Sequence, residues 1–237
     1  MDFVLTLHSH LPYVLNHGRW PHGSDWLCEA ALDTYLPLLE QLRALERDGI
    51  PAPVTIGFTP VLANQLASPQ FGGELEAFFD QRLAACAEAP ASLASTGDSA
   101  LLPLVEYWRN RFERLRQLFR SSGGDLLAPF RALRDRGALE IIGSAATHGY
   151  LPLLRRDESV RLQLTVGRDE HTRIFGQAPV GCWVPECAYR PARGARPGIE
   201  AFLAEAGFRY FFVDAQDRKS TRLNSSHSRA SRMPSSA

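Results

Sequence analysis

The sequence predicts an α/β fold built on a parallel sheet, and two observations carry that expectation. Short apolar or β-branched runs recur at about 2–7, 54–58, 139–143, 180–184 and 209–213. Between them lie stretches with helical spacing. Strands that alternate with helices are joined by right-handed crossovers, which makes neighbouring strands parallel.

In order, the first run leads into His8-Ser9-His10-Leu11-Pro12. Leu32, Tyr35, Leu39, Leu42 and Leu45 then recur every three or four residues and predict a helix that Asp48-Gly49 ends. The second run is followed by Thr59-Pro60. Segment 86–104 is rich in Ala, Ser, Pro and Gly and reads as a loop or insertion between helices. Val105, Trp108, Phe112, Leu115 and Phe119 mark a further helix, and Leu126, Phe130 and Leu133 another, with Gly137 placed as a C-cap before the third run. Val160, Leu164, His171 and Phe175 mark a helix capped at Asp157. Pro197 opens a short one that carries Ile199, Phe202 and Leu203 and closes at Gly207.

Composition narrows the classes. The chain has 237 residues, 45% apolar and 22% charged. It contains no run of eighteen apolar residues, and Met1 leads straight into Asp2-Phe3-Val4, so neither a membrane span nor a secretory signal is expected. Four cysteines without a CxxC pair argue against a disulfide framework and a cysteine-rich zinc site, and a cytoplasmic location is the expectation. The formal charge of +0 excludes a strongly basic nucleic-acid binder. That total is uneven. Residues 217–237 carry Arg218, Lys219, Arg222, Arg229 and Arg232 against Asp217 alone, a net of +4 that leaves −4 for residues 1–216. Lys219 is the chain's single lysine, and seven of these 21 residues are serine. We expect 1–216 to be one structured region and 217–237 a disordered tail foreign to the gene.

In parallel β/α folds functional groups gather at the C-terminal ends of strands. The third run is followed by Ser144-Ala145-Ala146-Thr147-His148-Gly149-Tyr150, the fourth by Pro185-Glu186-Cys187-Ala188-Tyr189-Arg190, and the fifth by Asp214. His8 and His10 are two apart and share a face of an extended chain. With His148 and Glu186 they are candidate metal ligands. They are also candidates for backbone hydrogen bonding, and above all for a pocket of neutral imidazoles that bind ligand hydroxyls. Glu186 follows Trp183-Val184-Pro185. Its plain reading is a solvated carboxylate or one paired with Arg190 or Arg193. Its sharper reading is sugar chemistry, in which an aromatic face stacks on the pyranose and a carboxylate acts at the anomeric carbon. Trp20, Trp26, Tyr13 and Tyr150 are expected in loops on the same rim.

Four motifs together resemble glycoside hydrolase family 57, most of all its 1,4-α-glucan branching enzymes. They are His8 to Trp26 (HSHLPYVLNHGRWPHGSDW), Gly57-Phe58-Thr59-Pro60, Glu140 to Leu154 (EIIGSAATHGYLPLL), and Trp183-Val184-Pro185-Glu186-Cys187-Ala188-Tyr189. The resemblance covers residues 1 to about 215. It implies an incomplete seven-stranded parallel β/α barrel with about five strands present, 1–216 being the N-terminal part of its catalytic domain. It implies a retaining mechanism on α-1,4-glucans such as amylose or a glycogen-like chain, with no metal and no cofactor. Glu186 would be the catalytic nucleophile. His8, His10, His148, Trp183, Trp20 and Tyr189 would bind substrate. The family's acid/base aspartate belongs to a later motif that nothing in this chain matches, and Asp214 is not assigned to it. The resemblance therefore predicts little or no activity for this chain alone. An α-amylase or 4-α-glucanotransferase of the same family is the alternative. A metal-dependent polysaccharide deacetylase and a non-catalytic glucan-binding protein are alternatives of other classes. No membrane or nucleic-acid partner is expected.

Overall fold

A computed structural model describes residues 4–50, 54–214 and 229–232, the last four by backbone alone. Five strands pair in parallel in sequence order: β1 (Leu5–Ser9), β2 (Val54–Phe58), β3 (Leu139–Ser144), β4 (Gly181–Trp183) and β5 (Tyr210–Val213). They form the curled half-barrel expected of an incomplete β/α barrel. A sixth strand, β6 (Arg229–Arg232), lies antiparallel on β5. The sequence pattern predicts no element at 229–232. The physical reason for the difference is the open edge of β5, whose unpaired backbone groups accept any extended segment whatever its side chains. The rest of the expected disordered tail, 217–228 and 233–237, lies outside the described residues.

The helices are α1 (Ser24–Ala30), α2 (Leu36–Arg47), α3 (Pro60–Leu66), α4 (Pro69–Thr96), α5 (Leu102–Ser121), α6 (Ala128–Asp135), α7 (Asp157–Phe175) and α8 (Ile199–Glu205). A π-helical segment, Ala31–Tyr35, joins α1 to α2. The chain divides into two compact units. One takes the described residues of Met1–Tyr13, Pro53–Asn64 and Arg134–Ala237 and carries the sheet; the other takes those of Val14–Ala52 and Gln65–Leu133 and is helical.

In the sheet unit the pairing runs His8 against Gly57 and Gly57 against Ile142, then Ser144 against Trp183 and Trp183 against Phe212. Side chains alternate across a strand, so these residues share one face and their neighbours share the other. On the other face Ile56, Phe58, Leu139, Ile141, Cys182, Phe211 and Val213 are all buried. Val160 and Leu164 of α7 and Ile199, Phe202 and Leu203 of α8 join Cys182, Phe211 and Val213 in one apolar cluster. Each such side chain contributes about 1.5–3 kcal/mol by leaving water.

In the helical unit α4 buries Phe71, Leu75, Phe78 and Phe79, and α5 buries Phe112, Leu115 and Phe119. Phe71 meets Phe119 edge to face, with ring centroids 6.4 Å apart. Glu76 accepts hydrogen bonds from Arg116 and Arg120 across the same pair of helices. Two expectations are corrected. Segment 86–104 is not a loop, because α4 continues to Thr96 and stops at Gly97, whose φ of 80° is the left-handed C-cap conformation. Its alanines are the best helix formers, and Pro90 sits on the exposed side of the helix. The first strand also runs two residues further than its apolar pattern suggests, so that His8 and Ser9 lie inside β1.

Candidate active site

The polar face of the sheet leads to the site. His8 in β1 has room for its ring because position 57 opposite is glycine: a Cβ there would stand 3.2 Å from His8 Nδ1. The Trp183 ring of β4 stacks on His8 at 4.5 Å with an interplanar angle of 9°. On its other side His8 meets His148 at 5.0 Å, and His148 stacks on His10 at 4.1 Å. Four flat rings thus form one file along the strand ends. Phe212 of β5 supports Trp183 at 5.5 Å, and Thr59 Oγ1, just after β2, lies 3.1 Å from His10 Nδ1.

His148 is held from below. Its loop is tied to α7, where Gln163 binds Thr147 through its side chain and accepts from the Ala146 N–H through its backbone. Gly167 of α7 permits that approach, since a Cβ there would fall 2.4 Å from the Ser144 carbonyl oxygen. Ser144 Oγ lies 3.2 Å from His148 Nδ1 and donates to the Trp183 carbonyl at 2.7 Å. On its far side His148 Nε2 is 3.5 Å from Glu186 Oε1. The two differ in exposure: the His148 side chain is 4% exposed and that of Glu186 70%.

Glu186 stands in the short 3₁₀ turn Pro185–Cys187 after β4. Among the described residues four non-glycine residues have positive φ, and three of them are His148, Glu186 and Cys187 at 56°, 55° and 53°. Each left-handed residue costs on the order of 1–3 kcal/mol and persists because its surroundings hold it. Around Glu186 those are the Cys187 N–H on the Val184 carbonyl, the Asp214 N–H on the Cys187 carbonyl, and the burial of Cys187 against Ile142 and Phe212.

Burial, helped by the neighbouring imidazoles, pushes His8 down to about 4 and His148 down to about 3. His10 is lowered by burial as well, with Glu186 acting in the opposite direction. The three rings are neutral near pH 7. Both ring nitrogens of His8 are buried without a hydrogen-bond partner from the protein. Stacked rings direct their in-plane lone pairs side by side rather than toward one point. Among the described residues no three His, Cys, Asp or Glu side chains are arranged to hold a metal ion.

Of the sequence-derived candidates, His8, His10, His148, Trp183 and Glu186 are brought together. The Tyr189 hydroxyl instead donates to Glu200 Oε2 at 2.8 Å, and its ring stacks near Phe211. Trp20 belongs to the helical unit and is 74% exposed. Trp26 lies on α1 in that unit rather than in a loop. The pairing of Glu186 with Arg190 or Arg193 does not occur: its titratable neighbour is the neutral His148 ring. Gly57, Thr59 and Ser144 fall within the motifs but, like Phe212, carry no site role that residue type alone reveals. Strand alternation is the signal that finds them, since all four share the face of His8.

The sequence profile of glycosyl hydrolase family 57 matches residues 4–236. The chain belongs to that family. A family 57 relative, the 1,4-alpha-glucan branching enzyme of Thermococcus kodakarensis, is 41% identical over 222 residues, which are 90% of this chain and 32% of the relative. The solved family 57 branching enzyme of Pyrococcus horikoshii is 40% identical, with a TM-score of 0.84 over 91% of this chain and 43% of that one. The alpha-amylase AmyC of Thermotoga maritima is 29% identical, with a TM-score of 0.79 over 90% of this chain and 39% of that one. The chain thus spans about a third of the length of the Thermococcus relative. No helix among the described residues is long and apolar enough to cross a membrane.

Proposed function

We propose that this chain is the N-terminal part of the catalytic domain of an enzyme acting on α-1,4-glucans, most specifically a branching enzyme working by the retaining mechanism. The observation that carries the reading is the file of neutral rings with Glu186 at its side, His148 Nε2 standing 3.5 Å from Oε1. Such a file supplies what a sugar needs, a flat aromatic stack together with imidazoles that donate to and accept from hydroxyls.

In this reading the Glu186 carboxylate attacks the anomeric carbon and the bond to the leaving glucan oxygen breaks. A second carboxyl group gives that oxygen a proton. The covalent glycosyl ester is then attacked by the 6-hydroxyl of another glucan, whose proton returns to the second carboxyl as an α-1,6 link forms. The second group belongs to the later family motif that this chain does not match, so the chain alone is expected to turn over little glucan. Trp20 and Tyr189 would act as further sugar contacts. No metal or cofactor enters the scheme, and a cytoplasmic location is part of the proposal.

The test uses the gene extended through its natural 3′ end. Its product is incubated with amylose and α-1,6 linkages are counted by NMR; new branches are the expected result. The likeness to the Thermotoga amylase favours hydrolysis as the second reading, and new reducing ends without branches would establish it instead. Redistribution of linear chain lengths would mark a 4-α-glucanotransferase.

A further inference from the structure

Ser144 closes β3, is 1% exposed, and has no part in the reaction just described. Its one hydroxyl proton is committed, because the Trp183 carbonyl 2.7 Å away can only accept. Toward His148 Nδ1, at 3.2 Å, Ser144 Oγ must therefore be the acceptor, and Nδ1 must carry the proton. His148 is neutral near pH 7, since burial pushes it down to about 3. A neutral ring protonated on Nδ1 presents a bare lone pair on Nε2. That lone pair faces a second acceptor, Glu186 Oε1, across 3.5 Å with no proton between them. A donor placed beside both atoms would relieve the opposition, and a sugar hydroxyl is such a donor.

We propose that Ser144 is a positioning residue: it locks His148 in the Nδ1–H tautomer, so that Nε2 accepts a hydrogen bond from a substrate hydroxyl beside Glu186. The lock has a second consequence. In the opposite tautomer Nε2–H would donate to Oε1, occupy a lone pair of the nucleophile, and offer the sugar a donor where it needs an acceptor. The catalytic half of the proposal rests on Glu186 being the nucleophile; the tautomer itself does not.

The experiment labels the histidines of the full-length enzyme with 15N and reads the His148 ring tautomer by long-range 1H–15N NMR in the parent protein, Ser144→Ala and Ser144→Thr. We expect Nδ1–H in the parent and in Ser144→Thr, which keeps a hydroxyl at the same atom. Nε2–H is expected in Ser144→Ala, with kcat on amylose down on the order of tenfold and recovered in Ser144→Thr. Nε2–H in the parent, or an unchanged Nδ1–H in Ser144→Ala, overturns the proposal, even if kcat falls. If Glu186→Gln retains full turnover while the tautomer shifts as expected, the nucleophile reading fails and the lock stands.

Discussion

The same five parallel strands carry two unlike faces, built from alternate residues of one chain. On one, Ile56, Phe58, Ile141, Cys182, Phe211 and Val213 are buried, several in one cluster with α7 and α8. On the other stand His8, Gly57, Ser144, Trp183 and, past the strand end, His10 and Thr59. The first face gains stability from area removed from water. The second gives some of it up, holding an imidazole with both nitrogens unpartnered and three residues in left-handed backbone at its rim. Among the described residues three of the four non-glycine residues with left-handed backbone gather at this rim, which supports the proposal that this face is the functional one.

Four substitutions in the full-length enzyme would break or sharpen this contrast. The largest effect is expected at the rim: Glu186→Gln should lower turnover of amylose by on the order of 10⁴-fold or more while leaving the unfolding midpoint in urea within error. Surviving activity would remove the rim from the chemistry. Next is the apolar face, where Phe58 is 1% exposed and tilted against Phe175 at 5.9 Å. Phe58→Ala should cost about 3–5 kcal/mol in denaturant unfolding, with kcat of the folded fraction little changed. If kcat fell while stability held, the faces would not be separable.

Gly167→Ala probes the joint between them. Its Cβ would meet the Ser144 carbonyl at 2.4 Å, so α7 or the end of β3 must shift, at a cost of about 1–3 kcal/mol. Unlike Phe58→Ala it should also lower kcat, because Ser144 moves with its carbonyl. The effect that is smallest at neutral pH is a pH dependence. His148 titrates at about 3 in the folded protein against its usual 6.5, so between these values the unfolded chain binds a proton that the folded one does not. Stability should fall as pH is lowered from 6.5 toward 3 and be insensitive to this group above 6.5. His148→Asn, which tolerates the left-handed backbone, should flatten the stability curve by up to about 1.4 kcal/mol per pH unit in that window. An unchanged slope would mean that His148 is not buried neutral.

Much of this was legible in the residues. The five strands follow from apolar runs, and α2, α5, α7 and α8 from repeats of three and four. Helix α4 was hidden, although Phe71, Leu75, Phe78 and Phe79 have helical spacing, because Pro90 and a run of small residues imitate a loop. The end of β1 was hidden because strand pairing with Gly57 and Phe58, rather than local hydrophobicity, carries the chain through His8 and Ser9. At the site, His8, His10, His148, Trp183 and Glu186 stood out by type and position. Ser144 did not, since a serine at a strand end has no distinctive pattern, and its role depends on a carbonyl 39 residues away.

The sequence by itself determined that strands alternate with helices and that histidines and a glutamate fall at strand ends, because periodicity and punctuation are properties of neighbouring residues. Only the tertiary structure decided the order of the rings, Trp183 on His8, His8 against His148 and His148 on His10, and the direction of the Ser144 proton. These depend on register between strands tens of residues apart, where a slip of one residue would turn every side chain to the opposite face.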